Sequence, residues 1–500
     1  MKNRKNFLKK SLGFSLLAIM VLSQSCKKSF LDTQPAGSQT ATQFYKTQAD
    51  ATAAVGGMYA NLHEWTNIAF APIAVESMGS GDVTKGSTPT DASFMNDFIN
   101  FTANSGEGQI SDFYGGEYKT INMANQNLDN IPAINMDASL KARYLAESKF
   151  IRAWCYFRLV RAFGDVPLRL HVPKSPSDFN LARTPKAQVW AAIEQDLTDA
   201  ASVLPQSYGS ADVGRVTKGA ALALHAKAAM YQAAANPGKW ADVLNLTNQV
   251  MGLGYTLFPN YEQMFRTDHK NNSESIFEIQ CVLIPNDPAG SNSQYSQVQG
   301  VRGSTGGGWG FNNPSPSLAA AYETGDPRRD ATIIFRGETT PEGDAIPASG
   351  DDVMFNQKSY VPFSLYVSGF NEGCQQNKIV LRYADVLLMN AEAANETGNT
   401  TQALASLEMV RARARNGNSG ILPKITLTDK TALRTAIWNE RHVELAMEFD
   451  HYFDVIRRGS SFAQAEFGPR GWKTGKNEVW PIPQNEIDLS AGTLTQNPGY

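Results

Sequence analysis

Glu440, Glu444 and Glu448 recur at intervals of four residues near the end of a 500-residue chain. On a helix this spacing puts them on one face, with Cβ atoms about 6 Å apart. Two such carboxylates could serve as the acid and nucleophile of a glycoside hydrolase, whose carboxyl groups stand about 5–9.5 Å apart. The competing reading is a charge network. Repeated like charge on one helix face is unfavourable alone, so basic partners are expected, and Arg441, Arg411, Arg413 or Arg457 can supply them. The network is the preferred reading, and no catalytic residue is assigned.

The other reactive residue types are scattered. His63, His171, His225, His269, His442 and His451 show neither an HExxH pattern nor a pairing with cysteine at ligand spacing, so no transition-metal site is expected. Beyond Cys26, the cysteines are Cys155, Cys281 and Cys374; no two are close, which leaves a disulfide framework or zinc site unsupported. Cys155 sits in an aromatic run and reads as a small buried hydrophobe. No GxSxG, GxGxxG or Walker A sequence occurs. Arg411, Arg413 and Arg415 alternate around a helix and read as ion-paired surface.

Aromatic residues in loops are the better binding candidates. A sugar offers flat C–H faces and many hydroxyls, so its site needs aromatic platforms with polar groups at their edges. The segment from Gly307 to Asn313 has this composition, with Trp309, Phe311 and Asn312. Flanking glycines leave Trp309 little local cover, although burial under its own loop is weighed equally. Tyr295, between Gln294 and Gln297, is a second candidate. Phe94, Asn96 and Asp97, beyond the polar 79–93 stretch, are a third. Trp65 and Trp472 read as packing.

These residues need a scaffold and an address. The chain is 42% hydrophobic and 19% charged, which excludes collagen, coiled coil and wholesale disorder. The net charge is −3. The first 25 residues carry five Lys or Arg and no acid, so the remainder stands at −8 and has no general attraction for nucleic acid. The apolar run Leu12 to Leu22 then leads to Ser23-Gln24-Ser25-Cys26. This is the layout of a secretory signal, too short to span a bilayer. Cys26 after the cleavage region resembles a bacterial lipoprotein signal, although Ser23 stands where Leu is usual. Cys26 is therefore expected to carry lipid. Residues 1–25 are the signal and 26–46 a tether.

Apolar periodicity predicts helices over 50–62, 117–131 and 139–163, the last stopped by Gly164 and Pro167. Its stripe is Tyr144, Ile151, Cys155, Leu159 and Ala162. Thr184 as N-cap and Pro185 at N1 would open the next helix, with Val189, Ile193, Leu197 and Leu204 on one face. Thr217 would cap 218–235, followed by a partner from Trp240 to Met251. A hairpin is expected at 382–396 and 402–415, and a helix capped by Thr428 would run to about Phe453. Residues 79–97 read as loop. Between 255 and 375 the helical signal fades, and six of the eleven residues 300–310 are glycine. The fold class expected is all-α, a tetratricopeptide-like stack of helix hairpins with a long loop-rich insert.

Several segments, in order, resemble the SusD/RagB family of Bacteroidetes outer-membrane lipoproteins. They are Cys26 with Phe30 to Pro35; Ala146 to Trp154, closed by Arg161 to Leu168; Val216 to Ala221; Gly325-Asp326-Pro327-Arg328; Leu381 to Met389; Asn439 to Glu448; Trp480 to Ile487; and Gln496 to Tyr500. Phe449 and His451 depart from the pattern, where Gly and Arg are usual, and alter a local packing or ion-pair detail.

The resemblance implies one helical domain over 47–500, with a SusD-like part to about 255 and a RagB/SusD part from about 256. It implies a cell-surface protein of the outer membrane that captures oligo- or polysaccharide, or another nutrient, and passes it to a TonB-dependent, SusC-like transporter without catalysis. It also supports the loop aromatics before Gly325 and the region around Phe94 as parts of the site. No cofactor is expected; a structural Ca²⁺ is left open, since the sequence does not decide it. The rival classes are a glycan-active enzyme using the Glu440–Glu448 face and a scaffold that binds only protein.

Overall fold

Helices form where the apolar period is kept and a side chain can satisfy the first free amides. The structure, a computed structural model, describes residues 44–284, 293–303, 308–366 and 375–500. Cys26, the signal, nearly all of the tether, Cys374 and part of the glycine-rich loop lie outside the described residues. Helix α1 (Gln48–Ala60) opens with a capping box: Thr47 Oγ1 accepts from the Asp50 amide at 3.2 Å, and the Thr47 amide donates to Asp50 at 2.7 Å. The main helices that follow are α2 (Gly108–Asn130), α3 (Ala138–Phe163), α4 (Lys186–Val203), α5 (Lys218–Gln232), α6 (Lys239–Met251), α7 (Tyr383–Glu396), α8 (Thr400–Arg415), α9 (Lys430–Glu444) and α10 (His451–Arg457).

From α2 to α8 each helix packs on the next, and α9 packs on α7. This is the stack of antiparallel hairpins expected. Of the described residues 53% are helical, against roughly a third in an average globular domain. Thr217 caps α5 as expected, accepting from the Ala220 amide. Gly164 ends α3 at φ 72°.

Four local expectations change. Helix α2 begins at Gly108 rather than 117. Thr184 is not a cap: it forms a β-bridge with Val166, and the Lys186 amide at the start of α4 donates to Asp165 Oδ1 at 2.7 Å. Asp429, not Thr428, caps α9. That helix stops at Glu444 instead of running to Phe453, because Met447 and Phe449 take φ of 65° and 70° and break the chain before α10. Phe449 thus sits in a left-handed conformation that glycine adopts without strain.

The stripe on α3 is also too narrow a description. Its residues are buried, but so is every residue from Phe150 to Val160. Over this stretch helix α3 is covered all round. Its charged residues are paired: Arg152 with Asp196 at 2.8 Å, and Arg158 with Glu76 at 2.9 Å and with Glu117. Cys155 and Cys281 are buried thiols outside any disulfide.

Short strands lie within the insert and in the segments that pair with it. They are β1 (Val83–Gly86), β2 (Ser275–Ile279), β3 (Phe311–Pro314), β4 (Ile333–Phe335), β5 (Met354–Asn356) and β6 (Lys378–Arg382). Among the described residues three antiparallel pairs form, β1 with β3, β2 with β6 and β4 with β5. The 79–97 stretch is therefore not all loop. The β1–β3 pair, with Val83 opposite Pro314 and Gly86 opposite Phe311, ties the first third of the chain to the glycine-rich segment. Thr47 to Tyr500 pack as one unit.

Candidate functional site

Five aromatic rings meet at the end of the β1–β3 pair. Trp65 opens a short helix, Trp65–Ile68, that breaks at Ala69 and resumes at Phe70. The Trp65 and Phe70 rings stack with centroids 5.3 Å apart. Trp309 lies 6.0 Å from Trp65, tilted by 54°. Phe70 also meets Phe311 edge-on at 5.0 Å and Phe94 at 6.0 Å. Phe70 and Phe311 are buried and form a floor, whereas Trp65, Phe94 and Trp309 are half-buried. Half-buried rings held from beneath are the form an aromatic platform takes.

Backbone contacts hold Trp309 in place. Its amide donates to Gln297 O at 2.9 Å, and the Gly310 amide donates to Gly300 O at 2.9 Å. Gly308 passes so close to Gly300 that a Cβ would stand 2.3 Å from the Gly300 carbonyl carbon. Glycine is also required at Gly86, with φ 71° and a Cβ position 2.1 Å from Gly310 O. The glycines that left Trp309 without local cover thus seat it against a distant segment.

A polar edge borders the rings. Arg302 Nη1 donates to Ser87 Oγ at 2.6 Å, to Asp91 Oδ2 at 3.2 Å and to Trp309 O at 3.1 Å. The Arg302 and Asp91 side chains are 39% and 42% exposed, so both keep accessible polar atoms. Lys85 Nζ donates to the carbonyls of Gly86, Thr88 and Asp91 at 2.7–2.8 Å and so shapes the loop that carries Asp91. Sequence reasoning missed Arg302 and Asp91. Their only signal was their place in the two polar, glycine-rich stretches. Trp65, read as packing, stands beside Trp309. Trp472, also read as packing, is buried, with its indole donating to Asn477 O at 2.9 Å.

The remaining candidates occupy distinct places. Phe311 is in the floor. Asn312 is fully buried, accepting from Ser77 Oγ and donating to Gln299 Oε1, both at 2.8 Å. Tyr295 is buried 5.8 Å from Lys378 Nζ, and burial pushes its phenol well above the usual range. Asn96 and Asp97 follow Phe94 on the short helix Met95–Ile99. Asn96 is exposed, and Asp97 Oδ1 accepts from Thr102 Oγ1 at 2.7 Å. The structure brings Trp309, Phe311 and Phe94 together and sets Asn312 and Tyr295 among buried residues. A separate cavity of 290 Å³, lined by Tyr118, Arg169, Phe179 and Leu489 among others, shares no lining residue with these rings.

The three glutamates form an interior ion network. Glu440 pairs with Arg328 and with Arg411 at 2.7 Å. Glu444 takes Arg328 at 2.9 Å, Arg382 at 2.6 Å and Arg413. Glu448, just past the end of α9, takes Arg382 and Lys358, both at 2.7 Å. Of the four expected partners, Arg411 and Arg413 are in place. Arg441 and Arg457 instead serve a second cluster with Asp385, Asp454 and Glu392. Arg411 and Arg413 are ion-paired as expected, but in the interior rather than on the surface. Burial alone would raise the Glu444 carboxyl, yet Arg413, Arg382 and Arg328 outweigh it and hold the group well below the usual carboxylate range. A general acid needs the opposite shift.

Comparisons with known proteins cover most of the chain. A family model described as the SusD family matches residues 273–500. One described as "Starch-binding associating with outer membrane" matches residues 29–230. SusD-like protein P2 of Formosa agariphila is 26% identical over 519 residues, covering 98% of this chain and 100% of that protein. A SusD-like protein of Bacteroides ovatus is 26% identical over 528 residues, covering 96% and 90%. Among solved structures, a laminarin-binding SusD-like protein aligns at 31% identity with a TM-score of 0.78, over 91% of this chain and 100% of the other. Surface glycan-binding protein A of Bacteroides fluxus shares the fold at 22% identity and a TM-score of 0.75, over 91% and 100%.

Proposed function

This chain belongs to the SusD/RagB family, and from that premise we propose that it captures a glucan at the cell surface and delivers it, uncleaved, to a TonB-dependent transporter. Membership carries carbohydrate binding and association with the outer membrane. The observation that carries the finer reading is the half-buried set of Trp65, Phe94 and Trp309 with the Arg302–Asp91 pair at its edge. The rings take the C–H faces of sugars, and the charged pair takes hydroxyls. An open platform suits a polymer, which must lie across the surface rather than enter a closed cavity. Laminarin, the ligand named for the solved relative at 31% identity, is the first ligand to test.

Several features support binding without catalysis. The Glu440–Glu448 face is buried and neutralised by arginine, and it lies outside the aromatic platform. The test is calorimetry on soluble protein, residues 27–500, with laminarin and a panel of other polysaccharides, assaying reducing ends in the same samples. Saturable binding with no new reducing ends is expected. Product formation would move the protein to the enzyme class, and no glycan binding at all would overturn the ligand class.

Cys26 is the anchor in this reading. Among the described residues no helix is long and apolar enough to cross a membrane. Acyl chains buried at roughly 0.8 kcal/mol per CH₂ supply the attachment. Cys26→Ala is expected to move the protein from the membrane fraction to the soluble fraction, and unchanged retention would overturn lipid anchoring.

A further inference from the structure

The sequence offered no metal-ligand spacing, yet the fold assembles a ligand set from three separate segments. Asp82 follows the left-handed Gly81 at the start of β1. His442 lies in the last turn of α9, and His451 begins α10. The break at Met447 and Phe449 folds α10 back so that the two imidazoles stack, with centroids 3.7 Å apart and planes at 13°. Both rings direct Nε2 toward one carboxylate oxygen. His442 Nε2 is 2.7 Å from Asp82 Oδ1, and His451 Nε2 is 4.0 Å from it.

We infer that Asp82, His442 and His451 form a binding site for a divalent transition metal of the zinc type. Their donor atoms all lie within 4.8 Å of one another. Three ligands at about 2.0–2.2 Å in a tetrahedron stand roughly 3.3–3.5 Å apart, so side-chain rotation suffices to close the set. The rings must splay for both lone pairs to converge, and solvent supplies the fourth position.

A second observation points to a ligand. Asp82 is 5% exposed, and its Oδ2 has no hydrogen-bond partner among the described residues. A buried carboxylate oxygen without a partner is costly, and a bound cation would satisfy it. Two imidazoles with one carboxylate favour zinc over calcium, which prefers an all-oxygen shell. Arg458, Arg470 and Glu466 also bear on the cluster, so the local charge is mixed. A bound ion would clamp the start of β1 to the turn between α9 and α10.

Titration of the purified, tag-free full chain with Zn²⁺ and Ca²⁺ in calorimetry tests the site. One Zn²⁺ per chain is expected, with no comparable Ca²⁺ uptake. His451→Gln and Asp82→Asn should each weaken Zn²⁺ binding at least about tenfold, since changing even an outer-shell partner of a ligand costs roughly 10–100-fold. If these variants bind Zn²⁺ as tightly as the wild type, the assignment is wrong. Should either variant misfold, anomalous diffraction at the zinc edge on wild-type crystals decides: a peak between the three side chains supports the site, and zinc held only at His63, His171, His225 or His269, or nowhere, overturns it.

Discussion

Trp309→Ala is expected to weaken glucan binding by about 50-fold while leaving the protein folded. A tryptophan presents 150–250 Å² of surface, of which a bound sugar would cover about 100 Å². At about 25 cal/mol per Å² this is about 2.5 kcal/mol, and 1.4 kcal/mol is tenfold in Kd. The Trp309 ring is only half-buried and rests on Trp65, so its loss removes few interior contacts. The melting temperature should fall by no more than the effect of about 1 kcal/mol usual for a point mutant. Trp65→Ala should weaken binding comparably. The double variant should lose less than the sum, because the two rings stand 6.0 Å apart and would share the proposed ligand face. Calorimetry against the glucan found by the panel is the measurement. Unchanged affinity in Trp309→Ala, with intact thermal unfolding, would place the site elsewhere.

Arg382→Met is expected to cost about 3–5 kcal/mol of stability, the range for breaking a buried ion pair from one side. Arg382 is 1% exposed and serves three carboxylates: Glu274 at 2.8 Å, Glu444 at 2.6 Å and Glu448 at 2.7 Å. It also donates to the Glu444 backbone carbonyl at 2.6 Å. Methionine fills the volume but supplies no proton donor. Arg413, Arg328 and Lys358 remain, so the carboxylates stay partly compensated and the chain is expected to fold. The Arg382→Lys variant should recover only part of the loss, because an ammonium cannot reproduce the planar fork. Denaturant unfolding measures the difference, and a wild-type midpoint in Arg382→Met would mean that the network adds nothing.

The same network sets the acid limit. Glu444 lies well below the usual carboxylate range, and Asp385, against the opposing effect of burial, is drawn down to about 2 by Arg441 and Lys227. Depressed carboxylates stabilise the fold above their unfolded pKa values, near 4, and that contribution is lost as pH falls through the folded values. Stability should therefore drop steeply between about pH 4 and pH 2. The drop should be shallower in Arg382→Met, where Glu444 has lost one of its cations.

Residues close in sequence were readable; residues close only in space were not. The Thr217 cap and the Gly164 stop depend on contacts within one turn, and both stand where the pattern put them. Thr184 failed as a cap because its backbone bridges to Val166, a pairing that propensity does not carry. The helix expected to reach Phe453 failed because two non-glycine residues adopt left-handed conformations that their side chains do not announce. The Trp309 segment was legible as a binding candidate from its glycines. Its neighbours Arg302 and Asp91 were not, since each is an ordinary charged residue in a polar loop until β1 pairs with β3.

By itself the sequence determined the helical scaffold, the order of its hairpins and the family, because periodicity, caps and ordered motifs are local and survive without a partner segment. Tertiary structure alone decided which rings converge at Trp309, which arginines neutralise Glu440, Glu444 and Glu448, and that His442 meets Asp82 across 360 residues. Each of these is a long-range contact between side chains whose types are common everywhere in the chain. Only the closing of the fold, through β1 on β3 and the turn between α9 and α10, selects the pairs that meet.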